Sequence, residues 1–183
     1  MEAEMSNAAA TAFAYGSGAN FVTGTGFKTP EGFTVNAACV AGTRTSETND
    51  VLTGDDVIRL TGDLKVGYDP VYVMNRATLA EIRTFKETNS GYLWQPGLNG
   101  PVQNTLCGYP YYLANSMADI GDGAVAMAFG DFRRGYRIHN RTGTAVLRDN
   151  TTGKHTAHVE FTWYRWNTGR VVLSEAIKLL TIQ

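Results

Sequence analysis

The run Val71-Tyr72-Val73-Met74, broken at Asn75 and continued as RATLAEIRTFK, constrains this chain more than any other stretch. Four consecutive apolar residues bounded by a polar one read as a buried strand. Asn75 carries a side chain suited to capping a helix. Leu79, Ile82 and Phe85 then recur at three-residue steps, which predicts a helix from Asn75 to about Lys86. A polar turn, an aromatic hinge at Tyr92-Leu93-Trp94 and the pair Pro96-Gly97 follow. Upstream, Thr53 with Asp56 three residues on forms the pattern of a capping box. Val57, Leu60 and Leu64 supply that helix's apolar stripe, and Lys65 and Gly67 close it. Helix, strand and helix in such short order define a layered α+β arrangement rather than a catalytic layout.

Residues 2–14, EAEMSNAAATAFA, predict a helix with Met5, Ala9, Ala12 and Phe13 on one stripe. Residues 15–33 are punctuated by glycine and predict a loop, with Pro30-Glu31-Gly32 as a turn signal. Residues 35–45 are weakly strand-like, and 46–50 form a polar loop. Strands are expected over 105–114, with Cys107, Tyr109, Tyr111 and Leu113 on one face, and over 123–129, 135–140, 144–148, 156–166, 170–174 and 176–182. Asn167-Thr168-Gly169 predicts the turn of a hairpin between 156–166 and 170–174. Val159, Phe161, Trp163 and Arg165 alternate with Glu160, Thr162, Tyr164 and Trp166, so both faces of that strand carry large groups. Such a strand is either sandwiched or meets a neighbouring subunit.

At 183 residues, the chain has the length of a domain or a domain and a half, and it can bury a substantial core. Only 18% of residues are charged while 43% are hydrophobic, which argues against disorder. The net charge of −1 gives no global reason to bind nucleic acid. No apolar run reaches membrane-spanning length. The N-terminus carries Glu2 and Glu4 without a basic-then-apolar pattern, so no secretory leader is expected. Without one, the glycosylation patterns at Asn140 and Asn150 read as chance. Cys39 and Cys107 lack metal-ligand spacing and read as two small buried thiols in a reducing compartment.

The motifs of enzyme chemistry are weak. Gly16-Ser17-Gly18 departs from a dinucleotide fingerprint, because Phe21 stands at the third glycine and the segment leaves a helix. His155 and His158 lie three apart on an expected strand and so point to opposite faces, which disfavours a zinc site. No G-x-S-x-G elbow occurs. Asp55, Asp56, Asp119, Asp122 and Asp131 read as caps and turn formers. Arg133, Arg134, Arg137, His139 and Arg141 are the strongest charge feature. On a strand Arg137, His139 and Arg141 would share a face, as solvated charges, intersubunit ion pairs or a phosphate-binding stripe. Tyr92, Trp94, Tyr109, Tyr111 and Tyr112 could stack bases, but no Lys or Arg is interleaved among them. Two alternatives to a structural role stay open at this level: a small α+β hydrolase-like enzyme using an Asp–His pair, and a nucleic-acid-binding accessory module using the stripe from Arg133 to Arg141.

Five segments, in order, resemble the major capsid proteins of tailed double-stranded DNA phages. They are AFAYGSGANFVTGTGFKTPEGF (12–33), residues 52–98 around the helix–strand–helix core, LCGYPYYLANSM (106–117), AMAFGDFRRGYRIHNRTGTAVLRD (126–149) and SEAIKLLTI (174–182). The resemblance implies the Hong Kong 97-type capsid fold, an α+β architecture with a peripheral domain built on a spine helix and an axial domain. By that resemblance residues 1–33 are the end of the spine helix and its glycine-rich link, and 34–131 are mainly axial domain. Residues 132–173 hold the returning peripheral strands, and 174–183 the final strand. The family's N-terminal arm, extended loop and most of its spine helix have no counterpart here, so the resemblance is to a C-terminal portion, and no crosslinking lysine is carried over.

The implied function is that of a non-enzymatic shell subunit of a phage or prophage, self-assembling to enclose DNA. Its implied partners are copies of itself, in pentamers and hexamers, with double-stranded DNA held non-specifically and no membrane or small-molecule substrate. The implied location is the virion capsid, after assembly in the bacterial cytoplasm. No catalytic, cofactor-binding or metal-ligating residue is assigned. Arg133, Arg134, Arg137, Tyr92, Trp94 and Trp163 are the expected subunit contacts.

Overall fold

A computed structural model describes residues 2–48, 50–85, 105–149, 151 and 159–183. Its centre is a six-stranded mixed sheet. The strands are β1 (Arg44–Thr45), β2 (Val71–Met74), β3 (Thr105–Leu106), β4 (Tyr109–Leu113), β5 (Val125–Gly130) and one numbered below in chain order as β8 (Ile177–Thr181). They lie in the order β1-β8-β5-β2-β4-β3. β5 is antiparallel to both neighbours, whereas β1–β8 and β2–β4 are parallel. A separate two-stranded ribbon pairs β6 (Tyr136–Asp149) with β7 (Glu160–Val171).

Both faces of the sheet are covered. On one face Tyr72, Met74, Met127, Phe129, Leu180 and Ile182 pack under Val57 and Leu60 of α3 (Gly54–Gly62) and Leu79 and Ile82 of α4 (Arg76–Thr84). On the other, Ala128, Ile177 and Leu179 pack with Val22, Phe33, Cys39 and Met117. Coverage from both sides explains why β5 reads as an unbroken apolar run and not as an alternating one. β2 is less enclosed than its sequence suggests: Tyr72 and Met74 are buried, but Val71 and Val73 are half-buried.

Both helix starts form as local chemistry dictates. Thr53 accepts from the Asp56 amide at 3.3 Å, and the Asp56 carboxylate accepts from the Thr53 amide at 3.1 Å. The Asn75 side chain accepts from the Arg76 amide and donates to the Met117 carbonyl. Lys86, the polar turn, the aromatic hinge and the second glycosylation pattern lie outside the described residues.

Several expectations are corrected. The first helix, α1, spans Glu2–Thr23 and runs through Gly16 and Gly18, where a loop was expected. Its C-terminal end is held by tertiary contacts, with Val22 buried and the Phe21 ring edge-on to Tyr136 at 6.0 Å, and these outweigh the cost of two glycines. The expected stripe is not a core: Met5 and Ala12 are exposed, and Ala9 and Phe13 are half-buried. Within 35–45, Asn36 caps a short helix, α2 (Ala37–Val40), by accepting from the Ala38 and Cys39 amides, leaving only two residues as strand.

Segment 105–114 is a hairpin and not one strand. Cys107 (φ 50°) and Gly108 (φ 85°) make its two-residue turn. A turn with both φ values positive matches the twist of paired strands. Cys107 is therefore exposed, contrary to expectation, while Cys39 is fully buried.

The segments 135–140 and 144–148 form the single strand β6, with register irregularities between Asn140 and Ala145. No turn forms at 167–169, which is continuous strand paired with β6. Gly169 serves close approach: a Cβ there would lie 2.3 Å from the Tyr136 hydroxyl. No helix among the described residues is long and apolar enough to cross a membrane.

Candidate assembly surface

The arginine cluster grows out of the end of β5. Asp131, buried, caps the one-turn helix α5 (Phe132–Gly135) by accepting from the Arg134 amide at 3.1 Å, and its second oxygen accepts from the Asp69 amide at 3.4 Å. Arg134 is consumed internally. Its Nε lies 3.5 Å from Asp131, Nη1 donates to the Gly67 carbonyl, and the guanidinium sits 5.9 Å from the Tyr68 ring centroid. Arg133 and Arg137 are exposed and form no ion pair among the described residues. With Asp69, Val71, Asp131 and Phe132, the three arginines line an open groove of about 690 Å³.

The expected stripe from Arg137 to Arg141 is broken. His139 lies opposite Thr168, but the register jumps between Asn140 and Thr142 and leaves Arg141 in the irregularity. Arg137 faces Arg170 directly across the ribbon, and Arg170 lies 3.5 Å from Glu31. His155 and His158 lie outside the described residues, as do Tyr92 and Trp94. His139 makes no hydrogen bond or ion pair among the described residues, so no Asp–His pair is formed there. Among the described residues no group of three or more His, Cys, Asp and Glu side chains could hold a metal ion.

Among the described residues Tyr109, Tyr111 and Tyr112 do not form a stacking platform. Tyr111 is buried and its hydroxyl accepts from Arg83, Tyr109 packs edge-on to Phe129, and only Tyr112 is largely exposed. Trp163 is half-buried and faces α1, sharing a groove of about 390 Å³ with Met5, Val146 and Phe161. The opposite ribbon face presents Leu147, Tyr164 and Trp166, the last 61% exposed. These three were absent from the expected contacts. The alternation of large side chains along β7 was the signal for them, because it left neither face obviously inward.

Among the described residues the perturbed protons sit on buried groups or on surface pairs. Burial, with Glu31 nearby, pushes the Cys39 thiol up to about 11, so it is a poor nucleophile near neutral pH. Burial raises Tyr72 strongly and Tyr136 to about 12. The remaining shifts belong to surface pairs, Arg44 with Asp63, and Lys65 and Tyr68 with Glu175.

A doubly covered mixed sheet, joined through α5 to a long ribbon that meets α1, is the Hong Kong 97-type architecture of phage capsid subunits. The chain belongs to the phage capsid family, whose model matches residues 1–182. It is similar to the subunit in the capsid of an empty GTA particle, a structure computed with C5 symmetry, at 32% identity and a TM-score of 0.91. The capsid of the native GTA particle gives 33% identity and a TM-score of 0.90. Both likenesses cover 100% of this chain but only 66% and 65% of those chains. A structure from Gordonia phage Cozz shares the fold over 83% of the chain and 51% of that chain, at 15% identity and a TM-score of 0.59. No curated protein matches the chain.

Proposed function

We propose that this chain is a structural shell subunit of a phage-type capsid, acting by repeated contact with copies of itself and turning over no substrate. The observation that carries this is the likeness to a capsid subunit along the whole chain, at 32% identity. The surface supports it as well. Large apolar groups stand exposed on the ribbon, and the two grooves described above are open troughs in which the described residues bring together no set of nucleophile, base and acid. Burial of such groups against neighbours drives assembly without a reaction.

In this reading residues 34–131 form mainly the axial domain. Residues 1–33 and 132–173 form the peripheral part, and 174–183 return to the central sheet. Arg133, Arg137 and the ribbon aromatics, Trp163 among them, meet neighbouring subunits. The enclosed DNA is held non-specifically, and the shell forms in the bacterial cytoplasm before the chain resides in the virion. Sedimentation velocity of the purified chain over a concentration series tests this. Concentration-dependent oligomers are expected, and a strict monomer throughout would overturn the reading.

A further inference from the structure

The two ends of the central sheet differ in their unpaired side chains, exposed arginines at one and exposed aspartates at the other. At the Gly130 end of β5 lies the arginine groove, and at the Val125 end lies the loop carrying Asp119 and Asp122. The two ends are about 17 Å apart along the strand. Asp119 and Asp122 are exposed and have no ion-pair partner among the described residues. Beside them a second groove, lined in part by Asp50, Glu81, Ile120 and Phe85, adds two more carboxylates and apolar surface. Arg76 starts α4 near this loop, and the four carboxylates outnumber it.

The geometry points to a head-to-tail contact in which the Asp119–Asp122 loop of a second copy seats in the groove between Arg133 and Arg137. Arg137 faces Arg170 across the ribbon; Arg170 has Glu31 3.5 Å away, whereas Arg137 has no ion-pair partner among the described residues and is the one left for an outside counter-charge. Asp69 and Asp131 line the same groove as the arginines. Unpaired exposed carboxylates, Asp119 and Asp122, stand on this same chain as the complement of the unpaired Arg133 and Arg137, and this favours a second copy over a nucleic-acid backbone. Because the two complementary patches are different surfaces of one chain, the contact is heterologous and closes into rings when its rotation permits.

This polarity rests on the shell-subunit reading, and charge reversal separates the two. Self-association of the wild-type chain, followed by sedimentation velocity, is expected to weaken as salt rises from about 50 to about 500 mM. R133E/R137E and D119K/D122K are each expected to weaken it by at least about tenfold. An equimolar mixture of the two variants, and the chain carrying all four changes, are expected to recover association, since each contact again joins opposite charges. The conservative R133K/R137K variant should retain most of it, which separates charge from misfolding. Association that persists unchanged in both reversals overturns the polarity and leaves the shell reading standing. A wild-type chain that never associates overturns both. Loss of salt-dependent duplex-DNA binding in R133E/R137E, with self-association intact, would assign the groove to phosphate and overturn the proposal.

Discussion

Tyr136 donates its hydroxyl to the Glu31 carbonyl at 2.7 Å, fastening the base of the long ribbon to the link that follows the first helix. The Glu31 amide in turn donates to the Gly169 carbonyl at 2.8 Å, so both ribbon strands are held at one point. Tyr136→Phe is expected to cost about 1 kcal/mol near neutral pH, read from urea unfolding.

The same residue gives a pH signature. Burial raises the Tyr136 pKa from 10.0 to about 12 in the folded chain. Between those values the folded state keeps a proton that the unfolded state has lost, so this contribution is present below pH 10 and lost as pH rises towards 12. The stability gap between wild type and Y136F should narrow across that window, and a constant gap would contradict the assignment.

Two glycine-to-alanine changes should act in opposite directions. At Gly130 a Cβ would lie 2.2 Å from the Ala176 carbonyl oxygen and 2.8 Å from Ile177 Cα, so G130A should destabilise by roughly 1–3 kcal/mol or more. At Gly16, inside the first helix, a Cβ meets nothing within 4 Å, and G16A should stabilise by roughly 0.5–1 kcal/mol. Thermal melts of the pair test the helix through residue 16 directly.

The two thiols should separate cleanly in native protein. Cys107 sits exposed in the β3–β4 turn, while Cys39 is fully buried and its pKa is raised to about 11. A thiol reagent should modify Cys107 in the folded chain and reach Cys39 only after denaturant is added. Two fast native equivalents would refute the packing of α2.

Asp63 is held below its ordinary value of 3.8, first by the hydrogen bonds from the Arg44 guanidinium. A depressed carboxylate pKa contributes stability above the unfolded value, and that contribution is lost as pH falls through the folded one. The pair is about a third exposed, so D63N should cost under about 1 kcal/mol at pH 7. Unfolding curves of wild type and D63N should converge well below pH 3.8.

What was legible in the sequence was what local chemistry controls. Thr53 and Asp56 satisfy each other's backbone across three residues, and the capping oxygen of Asn75 accepts from the next amide, so both caps are made by near neighbours. What misled was composition acting without context. Asn167-Thr168-Gly169 has turn chemistry, yet those residues pair with Ile138, His139 and Asn140, and Gly169 makes room for Tyr136. Cys107 was grouped with its apolar neighbours, although a positive φ places it at a hairpin tip. The arginine cluster was visible as charge, but Arg134 proved to be internally satisfied, leaving Arg133 and Arg137 to face outward.

The sequence by itself determined the starts of α3 and α4, the strand β2 and the α+β class, because caps and apolar periodicity act over three or four residues. The order of segments was enough to indicate the family. Only the tertiary structure decided which strand pairs with which, how far the first helix runs, and that basic and acidic surfaces stand at opposite ends of one sheet. Those outcomes depend on contacts between residues far apart in the chain, such as Tyr136 with Glu31, and no local pattern encodes them.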